Sequence, residues 1–221
     1  MLNDLKSFWS EVEFVLLDMD GTLLDKHFDD YFWENYVPAV FASKHDIPIS
    51  EASSELLSMY KSKEGTLDWT DLDFWSNELG LDIPELKNQV DHLISVHPYV
   101  VDFLKYCQES SKKTYLVTNA HSKTLEIKMG KTALQGYFDK IVCSQEVGLA
   151  KEDPAFWERL GAIISFEPEK TMLADDTEKV LLSAEEAGIK HLVYVAKPSS
   201  KEPPRPSKRF TSITYFKELI I

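Results

Sequence analysis

The chain has 221 residues, of which 43% are hydrophobic, and it carries a formal net charge of −13 at pH 7 with a sequence pI of about 4.9. This length is enough for one sizeable domain, or for a core domain with a smaller insert. The acidic surface disfavours binding to nucleic acid and to anionic membranes, and the lack of a signal peptide or of any run of roughly 18 apolar residues predicts a soluble, cytoplasmic protein.

The first predicted element is a buried strand over Glu13 to Leu17, and the next strand does not begin until about Thr114. The stretch between them contains only helical spacing. A run of helices placed directly after the first strand predicts a small helical cap of residues 26–96, inserted into a core made of residues 1–25 and 97–221.

Four apolar stripes at helical spacing define this predicted cap. Pro38 is expected to kink or split the first of them, because proline lacks the backbone N–H that the helix interior needs. Thr70 and Asp73 are expected to form a capping box ahead of the third, which Gly80 ends. The stripes are Phe28, Tyr31, Phe32, Tyr36, Ala39 and Val40; Ala52, Leu56, Met59 and Tyr60; Leu72, Trp75 and Leu79; and Leu86, Val90, Leu93 and Ile94.

From residue 97 onward, strand and helix patterns alternate, which predicts an α/β fold around a parallel sheet. The tail stretch 201–209 is rich in proline and basic residues and is expected to be a solvated loop. Cys107 and Cys143 match neither a metal-binding spacing nor a disulfide framework, and they are expected to be buried free thiols. The remaining strands are predicted over Thr114 to Val117 and Thr171 to Ala174, and more weakly at Ile141–Val142 and His191 to Val195; the helices over Tyr99 to Glu109, Ser122 to Met129, Pro154 to Ile163 and Glu178 to Ala187.

Polar side chains follow the predicted strands at the point where each strand ends. Open parallel sheets bind ligands beyond the carboxyl ends of their strands, so these side chains are expected to meet at one site. Alternation along the strand places the first two carboxylates on the same side. The strands deliver Asp18, Asp20, Thr118, Asn119, Asp175 and Asp176 to this edge, and a loop offers Lys151 there.

The chemistry of this set points to phosphoryl transfer. Four aspartates packed together repel one another unless a cation lies among them, and oxygen ligands select a hard ion such as Mg²⁺. Thr118, Lys151 and the backbone N–H groups near Asn119 would form the complementary anion site at a helix N-terminus. Metal, anion site and a free carboxylate together predict phosphoryl transfer with an aspartate as the nucleophile.

Each of these features alone has a simpler interpretation. A lone Asp-x-Asp-Gly is more often a turn than a catalytic site, and Asp175–Asp176 alone would serve to cap the following helix. Lys151 alone would be a surface lysine. His121, beside Asn119, either reaches the site or lies on the surface. The joint occurrence of all the motifs at strand ends or in adjoining loops is what favours a catalytic site.

At these residues the sequence resembles the haloacid dehalogenase-like (HAD) hydrolase superfamily. Four stretches of the sequence resemble the four motifs of this superfamily, in the family's order: "LLDMDGTLLD", "YLVTNA", "GLAKEDPAFW" and "LADDTEKV". The segment 26–96 resembles the helical C1 cap of subfamily I. The resemblance implies a Rossmann-like three-layer core and an Mg²⁺-dependent phosphatase. Glu152 stands where proline is commoner in the third motif, and Asp175 where glycine often stands in the fourth.

The resemblance also implies roles for individual residues. Asp18 would be the nucleophile that forms an aspartyl-phosphate, and Asp20 the general acid and base whose backbone carbonyl also binds the metal. Thr118 and Lys151 would hold the phosphoryl group. Asp18 and Asp176 would bind the metal directly, with Asp175 supporting them or contacting the metal through water.

Further stretches, among them "FDDYFWENYVP" and "LDWTDLDFWSNELGLDI", are similar to the bacterial GMP/IMP 5′-nucleotidase branch of the family. The expected substrate is therefore a small phosphorylated metabolite, a purine nucleoside monophosphate. A sugar-phosphate phosphatase or mutase is the alternative within the family. A haloacid dehalogenase is disfavoured by Asp20, because that reaction needs no leaving-group acid. A non-catalytic phospho-receiver is disfavoured by the insert. The expected substrate-binding residues are Gly21, Asn119, Trp69, Asp73 and Trp75, with Asp68, Asp73 and Asp29 as acceptors for the N1–H of the base.

Overall fold

A computed structural model describes residues 8–220 of the chain. Its centre is a six-stranded sheet in the order β3-β2-β1-β4-β5-β6, in which every neighbouring pair is parallel. The predicted α/β fold with a parallel sheet is thereby confirmed. The strands are β1 (Phe14–Leu17), β2 (Lys113–Thr118), β3 (Lys140–Cys143), β4 (Thr171–Asp175), β5 (His191–Val195) and β6 (Thr211–Ile213).

The central position of β1 brings the predicted polar residues together. Leu17, at its end, is level with Leu116 of β2 on one side and with Ala174 of β4 on the other. The next residue, Asp18, donates its backbone N–H to the carbonyl of Ala174 at 3.0 Å. The side chains that follow β1, β2 and β4 therefore leave the sheet at one edge, as the parallel register requires.

Helices cover both faces of the sheet, and side-chain alternation along β1 divides the core in two. Leu16 packs into a cluster with the helix Ala155–Leu160 and the helix Glu178–Glu186, whereas Val15 and Leu17 pack into a larger cluster on the opposite face. The other helices of this part are Val100–Glu109, Ser122–Thr132 and Ser144–Val147. Both cysteines are buried free thiols, as predicted.

The stretch between β1 and β2 is helical within the described residues, as predicted. We call the segment 26–96 the helical insert. Its two ends lie side by side, because the N–H of Asp25 donates to the carbonyl of Ser95 and the N–H of His97 donates to the carbonyl of Leu23, both at 2.9 Å. Its apolar side chains belong to the same cluster as one face of the sheet. Its helices are His27–Tyr31, Val37–His45, Ile49–Lys63, Leu72–Leu79 and Ile83–Gln89.

The first apolar stripe of the insert differs from the prediction in its second half. A π-helical turn over Phe32–Tyr36 joins two α-helices without a break, and Pro38 lies in the first turn of the second, where its missing N–H costs little. The wider turn shifts the buried positions by one residue. Val37, Pro38, Phe41 and Ala42 are buried, whereas Ala39 is exposed and Val40 and Tyr36 are only half-buried.

Two smaller predictions need correction. The N-cap of the helix Leu72–Leu79 is Asp71, whose carboxylate accepts from the N–H groups of Asp73 and Phe74, so Thr70 forms no capping box. The last insert helix ends at Gln89, and Val90, Leu93 and Ile94 follow it in a 3₁₀ turn and its flanks. The short edge strand β6 was not predicted. Pro154 lies one residue ahead of the helix Ala155–Leu160, within the usual uncertainty of helix ends.

The tail agrees with its prediction. Residues 201–206 are exposed, as expected for a solvated loop. Within residues 8–220, no helix is long and apolar enough to cross a membrane. The division of the chain into two domains stays a prediction.

Candidate active site

A cleft of about 570 Å³ lies between the carboxyl edge of the sheet and the helical insert. Nearly all of the residues predicted for the site line it. Gly21, Asp68 and Asp73 do not. The predicted residues that line the cleft are Asp18, Asp20, Asp29, Trp69, Trp75, Thr118, Asn119, Lys151, Asp175 and Asp176.

The centre of the site is a buried lysine between two carboxylates. The Nζ of Lys151 lies 2.5 Å from Oδ1 of Asp18 and 2.7 Å from Oδ2 of Asp175, and it also donates to the carbonyl of Val117 at 3.2 Å. All three of the ammonium's donors therefore have partners. Lys151 holds Asp18 at the end of β1 and ties it to the end of β4.

Asn119 positions this lysine from the end of β2. Its Oδ1 accepts from the N–H of Lys151 at 3.0 Å, and its Nδ2 donates to the carboxylate of Glu152 at 2.9 Å. The unusual glutamate of the third motif thus has a partner, and Asn119 acts on the loop of Lys151 rather than presenting a free amide. Thr118 is buried beside it, and its hydroxyl accepts from the N–H of Ala120 at 3.0 Å.

Three carboxylates converge closely enough to hold a metal ion. Oxygen atoms of Asp18, Asp175 and Asp176 lie within 4.8 Å of one another. Both oxygens of Asp175 are already engaged, Oδ2 by Lys151 and Oδ1 by the N–H of Thr177 at 2.8 Å. Among the described residues, neither oxygen of Asp176 has a hydrogen-bond partner. Asp176 is therefore the freer ligand.

The electrostatics of this cluster favour the addition of a cation. Burial, together with the charge of Asp175, raises the pKa of Asp18 to about 6 despite the opposing effect of Lys151. Burial and the neighbouring carboxylates also raise the pKa of Asp176 well above its ordinary value. For Lys151 burial favours the neutral form, but Asp175 and Asp18 outweigh it and raise its pKa. The oxygen-only donor set and this unbalanced negative charge fit a divalent ion such as Mg²⁺.

Gly21 supports this cluster sterically. Its φ of 85° lies in the left-handed region, and a Cβ at this position would clash with the carboxylate of Asp176. Glycine therefore leaves room for the carboxylate rather than contacting the cleft itself.

Asp20 lies beside a chain of charges that the sequence analysis missed. Its Oδ1 accepts from the Nζ of Lys128 at 2.5 Å, Lys128 also contacts Asp29 at 2.5 Å, and Asp29 in turn contacts Lys87 at 2.9 Å. Burial raises the pKa of Asp20 to about 6, although Lys128 opposes this shift. For Asp29 the two lysines outweigh burial and lower the pKa. The sequence did offer a signal for Lys87. It stands one turn after the apolar Ile83, and therefore on the same, buried face of its helix.

The insert residues predicted to contact a base lie in different environments. Trp69 is 39% exposed and lines the cleft, whereas Trp75 is 1% exposed and donates its Nε1–H to the carbonyl of Trp69 at 2.9 Å. Asp73 lies outside the cleft, where it pairs with Lys123 at 2.5 Å. Asp68 pairs with Lys63 at 2.9 Å and is likewise absent from the lining.

His121 lies at the cleft rather than on the surface. It is buried, its Nδ1 accepts from the N–H of Lys123 at 3.2 Å, and its Nε2 is 3.5 Å from Asp71 of the insert. Burial lowers its pKa, with Asp71 opposing. These contacts make it a helix N-cap that also touches the insert.

Comparison with known proteins agrees with this geometry. The family model described as haloacid dehalogenase-like hydrolase matches residues 12–188. The GMP/IMP nucleotidase YrfG of Escherichia coli (strain K12) is 34% identical over 212 residues, covering 96% of each chain. The phosphorylated carbohydrates phosphatase of Thermotoga maritima is 24% identical over 192 residues, covering 83% of this chain and 85% of its own.

Solved structures give the same fold. A HAD phosphatase from Thermococcus onnurineus has a TM-score of 0.77 and 24% identity, covering 94% of this chain and 96% of its own. The family and the enzyme class predicted from the sequence, a phosphatase of the HAD type, are confirmed. By its sequence and by its sheet, the chain belongs to the haloacid dehalogenase-like hydrolases.

Proposed function

We propose that this protein hydrolyses small phosphomonoesters through an aspartyl-phosphate on Asp18, and that its preferred substrates are the purine 5′-nucleotides GMP and IMP. The observation that carries the chemistry is the contact of Asp18 with Lys151, at 2.5 Å, inside a cluster of three carboxylates at the cleft. A buried carboxylate held against an ammonium is pre-oriented for attack, and the same ammonium attracts the phosphate.

The reaction proceeds in two displacements at phosphorus. An oxygen of the Asp18 carboxylate forms a bond to phosphorus, the bond to the leaving alkoxide breaks, and Asp20 gives that alkoxide a proton. Water then attacks phosphorus while Asp20 takes a proton from it, the bond between phosphorus and the Asp18 oxygen breaks, and the Asp18 carboxylate and inorganic phosphate are released. The Thr118 hydroxyl holds the phosphate oxygens throughout, and the charge of the Lys151 ammonium attracts them. A pKa of about 6 lets Asp20 serve in both directions near neutral pH.

Mg²⁺ is the proposed cofactor. Asp18 and Asp176 would bind it directly together with the backbone carbonyl of Asp20, and Asp175 would support them. The ion would supply positive charge against the oxygens of the substrate phosphate. The supporting observations are the oxygen-only donor set, the proximity of the three side chains and the partnerless oxygens of Asp176.

The helical insert is proposed to act as a cap domain that selects the substrate. It contributes one wall of the cleft, and the ring of Trp69 is exposed there. A flat indole suits stacking on a base. The nucleotide preference rests on this ring and on the 34% identity to a GMP/IMP nucleotidase along nearly the whole chain. A sugar-phosphate phosphatase is the second candidate, because a relative named for phosphorylated carbohydrates is 24% identical.

A panel of phosphate esters tests the substrate preference, and the expected order of the esters follows from how the base is recognised. Stacking is typically worth about 1–3 kcal/mol per base but barely separates one purine from another. The ring edge must discriminate, because GMP and IMP present an N1–H donor beside a C6 carbonyl, whereas AMP presents the reverse. Asp68 and Asp73 lie in ion pairs away from the cleft. Asp29 lines the cleft, but Lys87 and Lys128 take both of its carboxylate oxygens. The proposed acceptor for N1–H is therefore Glu34 or Glu64, which line the cleft.

The expected order of kcat/KM is GMP and IMP first, AMP lower by at least about tenfold, and pyrimidine monophosphates last. Phosphate release with each ester at equal enzyme concentration gives this order. If AMP or a hexose phosphate is the best substrate, the nucleotidase proposal fails, while the phosphatase chemistry stands.

A second experiment tests the acid role of Asp20. General acid catalysis contributes typically about 10²–10⁴-fold, and only where the leaving group needs a proton. Asp20→Asn is therefore expected to reduce GMP hydrolysis by about 10²-fold or more and p-nitrophenyl phosphate hydrolysis much less, because p-nitrophenolate leaves without protonation. Equal losses on both substrates would remove the general-acid assignment.

A further inference from the structure

The charge chain beside Asp20 crosses from the core to the helical insert. Its order is Asp20, Lys128, Asp29 and Lys87, with the negative and positive groups alternating, at distances of 2.5, 2.5 and 2.9 Å. Asp20 and Lys128 belong to the core part of the chain, whereas Asp29 and Lys87 belong to the insert. The side chains of the two lysines are only 1% and 2% exposed.

Joining the insert to the core does not by itself require a buried lysine. The helix Ser122–Thr132 makes two further ion pairs to the insert, Lys123 with Asp73 and Lys131 with Asp91, and both are substantially exposed. Surface pairs of this kind need little desolvation, whereas a buried ammonium needs close partners to compensate for the water that it loses. Of these three lysines of the helix, Lys128 alone contacts a residue of the reaction centre.

Asp20 depends on this contact for its orientation. Its carboxylate follows the end of β1 in a turn, and among the described residues its only side-chain partner is Lys128, which binds Oδ1. Oδ2 is left free, and Asp20 lines the cleft. A charge-assisted hydrogen bond to one oxygen fixes the plane in which the other is presented.

We propose that Lys128 is a positioning residue that holds the carboxylate of Asp20 for proton transfer, and that Asp29 and Lys87 hold Lys128 from the insert. The position of the insert on the core thereby sets the orientation of Asp20. This inference rests on the proposed acid and base role of Asp20, but not on which phosphate ester is the natural substrate.

The test uses the ratio of kcat/KM for GMP to kcat/KM for p-nitrophenyl phosphate, with glucose 6-phosphate in place of GMP if GMP is not hydrolysed. Both rates are measured on one preparation, so any unfolded fraction cancels from the ratio. Lys128→Met is expected to lower the ratio by about 10²-fold, as loss of acid catalysis does. Asp29→Asn, which keeps the side-chain shape, is expected to lower it by roughly tenfold, as a misplaced group does.

Lys131→Met is the matched control, because it removes a lysine and an ion pair to the insert from the same helix without contacting Asp20. Its ratio should equal that of the unmodified protein. Asp20→Asn is run in parallel. If it lowers the ratio while Lys128→Met does not, the positioning inference is overturned and the proposed mechanism stands.

Two other outcomes are equally decisive. If Asp20→Asn leaves the ratio unchanged, the acid role of Asp20 is wrong and the inference falls with it. If Lys128→Met lowers the ratio and Asp29→Asn does not, the part of the proposal that concerns the insert is overturned. Should Lys128→Met fail to fold, Asp29→Asn still tests the proposal. An unchanged ratio in Asp29→Asn would contradict the proposal that the charge chain positions Asp20.

Discussion

Replacing Asp18 with asparagine is expected to abolish turnover, lowering kcat by about 10⁴-fold or more, as loss of a catalytic nucleophile does. The amide has nearly the same shape as the carboxylate but cannot form the bond to phosphorus. The measurement is phosphate release from GMP and from p-nitrophenyl phosphate. Unlike Asp20→Asn, this variant should lose both activities, because the first displacement at phosphorus fails whatever the leaving group.

The fold should survive this substitution. Lys151 keeps its contacts with Asp175 at 2.7 Å and with the carbonyl of Val117 at 3.2 Å, so its charge does not become unpaired. Asp102→Asn, at an exposed position in the helix Val100–Glu109, is the control for the same chemical change away from the cleft and should keep full activity. Retention of more than a few per cent of activity by Asp18→Asn in a clean preparation would contradict the assignment.

A trapping experiment separates the nucleophile from a merely supporting carboxylate. Acid quenching during turnover of ³²P-labelled substrate should leave label on the unmodified protein, because acyl phosphates survive brief exposure to acid. Asp18→Asn should retain none. Label on that variant would move the nucleophile to another residue.

The parts of the fold that could be predicted are those in which local pattern decides the structure. The strands β1, β2 and β4 are short apolar runs that end on polar residues. Few arrangements other than a buried parallel sheet fit this pattern. Because the strands are parallel and adjacent, the residues after each strand meet without further information. The meeting of Asp18 and Asp176 follows from that topology, whereas Lys151 comes from the loop after the helix Ser144–Val147, where Asn119 accepts from its N–H.

The unpredicted parts depend on packing between distant segments. Lys128 meets Asp20 across 108 residues and Asp29 across 99, and no local pattern carries such a pairing. The π-helical turn at Phe32–Tyr36 shifts the buried stripe by one residue, which a constant helical period does not describe. Asp73 and Trp75 were expected at the ligand from their residue type, but an ion pair with Lys123 and burial in the core decide their positions.

Removal of divalent metal should abolish activity, and addition of Mg²⁺ should both restore activity and raise the melting temperature. The second effect does not require catalysis. Asp18, Asp175 and Asp176 repel one another in the folded state, and an ion that binds the folded state alone stabilises it. At a Mg²⁺ concentration of about 100 times Kd this stabilisation is about 2.7 kcal/mol, which for a chain of this size raises Tm by roughly 5–10 °C.

The stabilisation by Mg²⁺ should increase with pH. The ordinary pKa of Asp18, 3.8, is raised to about 6 in the folded state, so between about pH 4 and 6 the folded protein holds more protons than the unfolded chain. The contribution of Asp18 to the stability of the metal-free protein therefore falls as pH rises through this window. Protons compete with Mg²⁺ for the same carboxylates, so the Tm shift should be larger at pH 7.5 than at pH 5.

Asp176→Asn separates the metal site from general ionic effects. It removes the freest carboxylate of the three while leaving the contacts of Lys151 with Asp18 and Asp175 in place. The variant should lose most of the Tm shift with Mg²⁺ and should be more stable than the unmodified protein in EDTA, because one of three mutually repelling negative charges is gone. Asp153→Asn, an exposed acidic residue near the same loop, should behave like the unmodified protein. A Tm shift that is unchanged in Asp176→Asn, or full activity in metal-free buffer, would show that these carboxylates do not hold a catalytic metal ion.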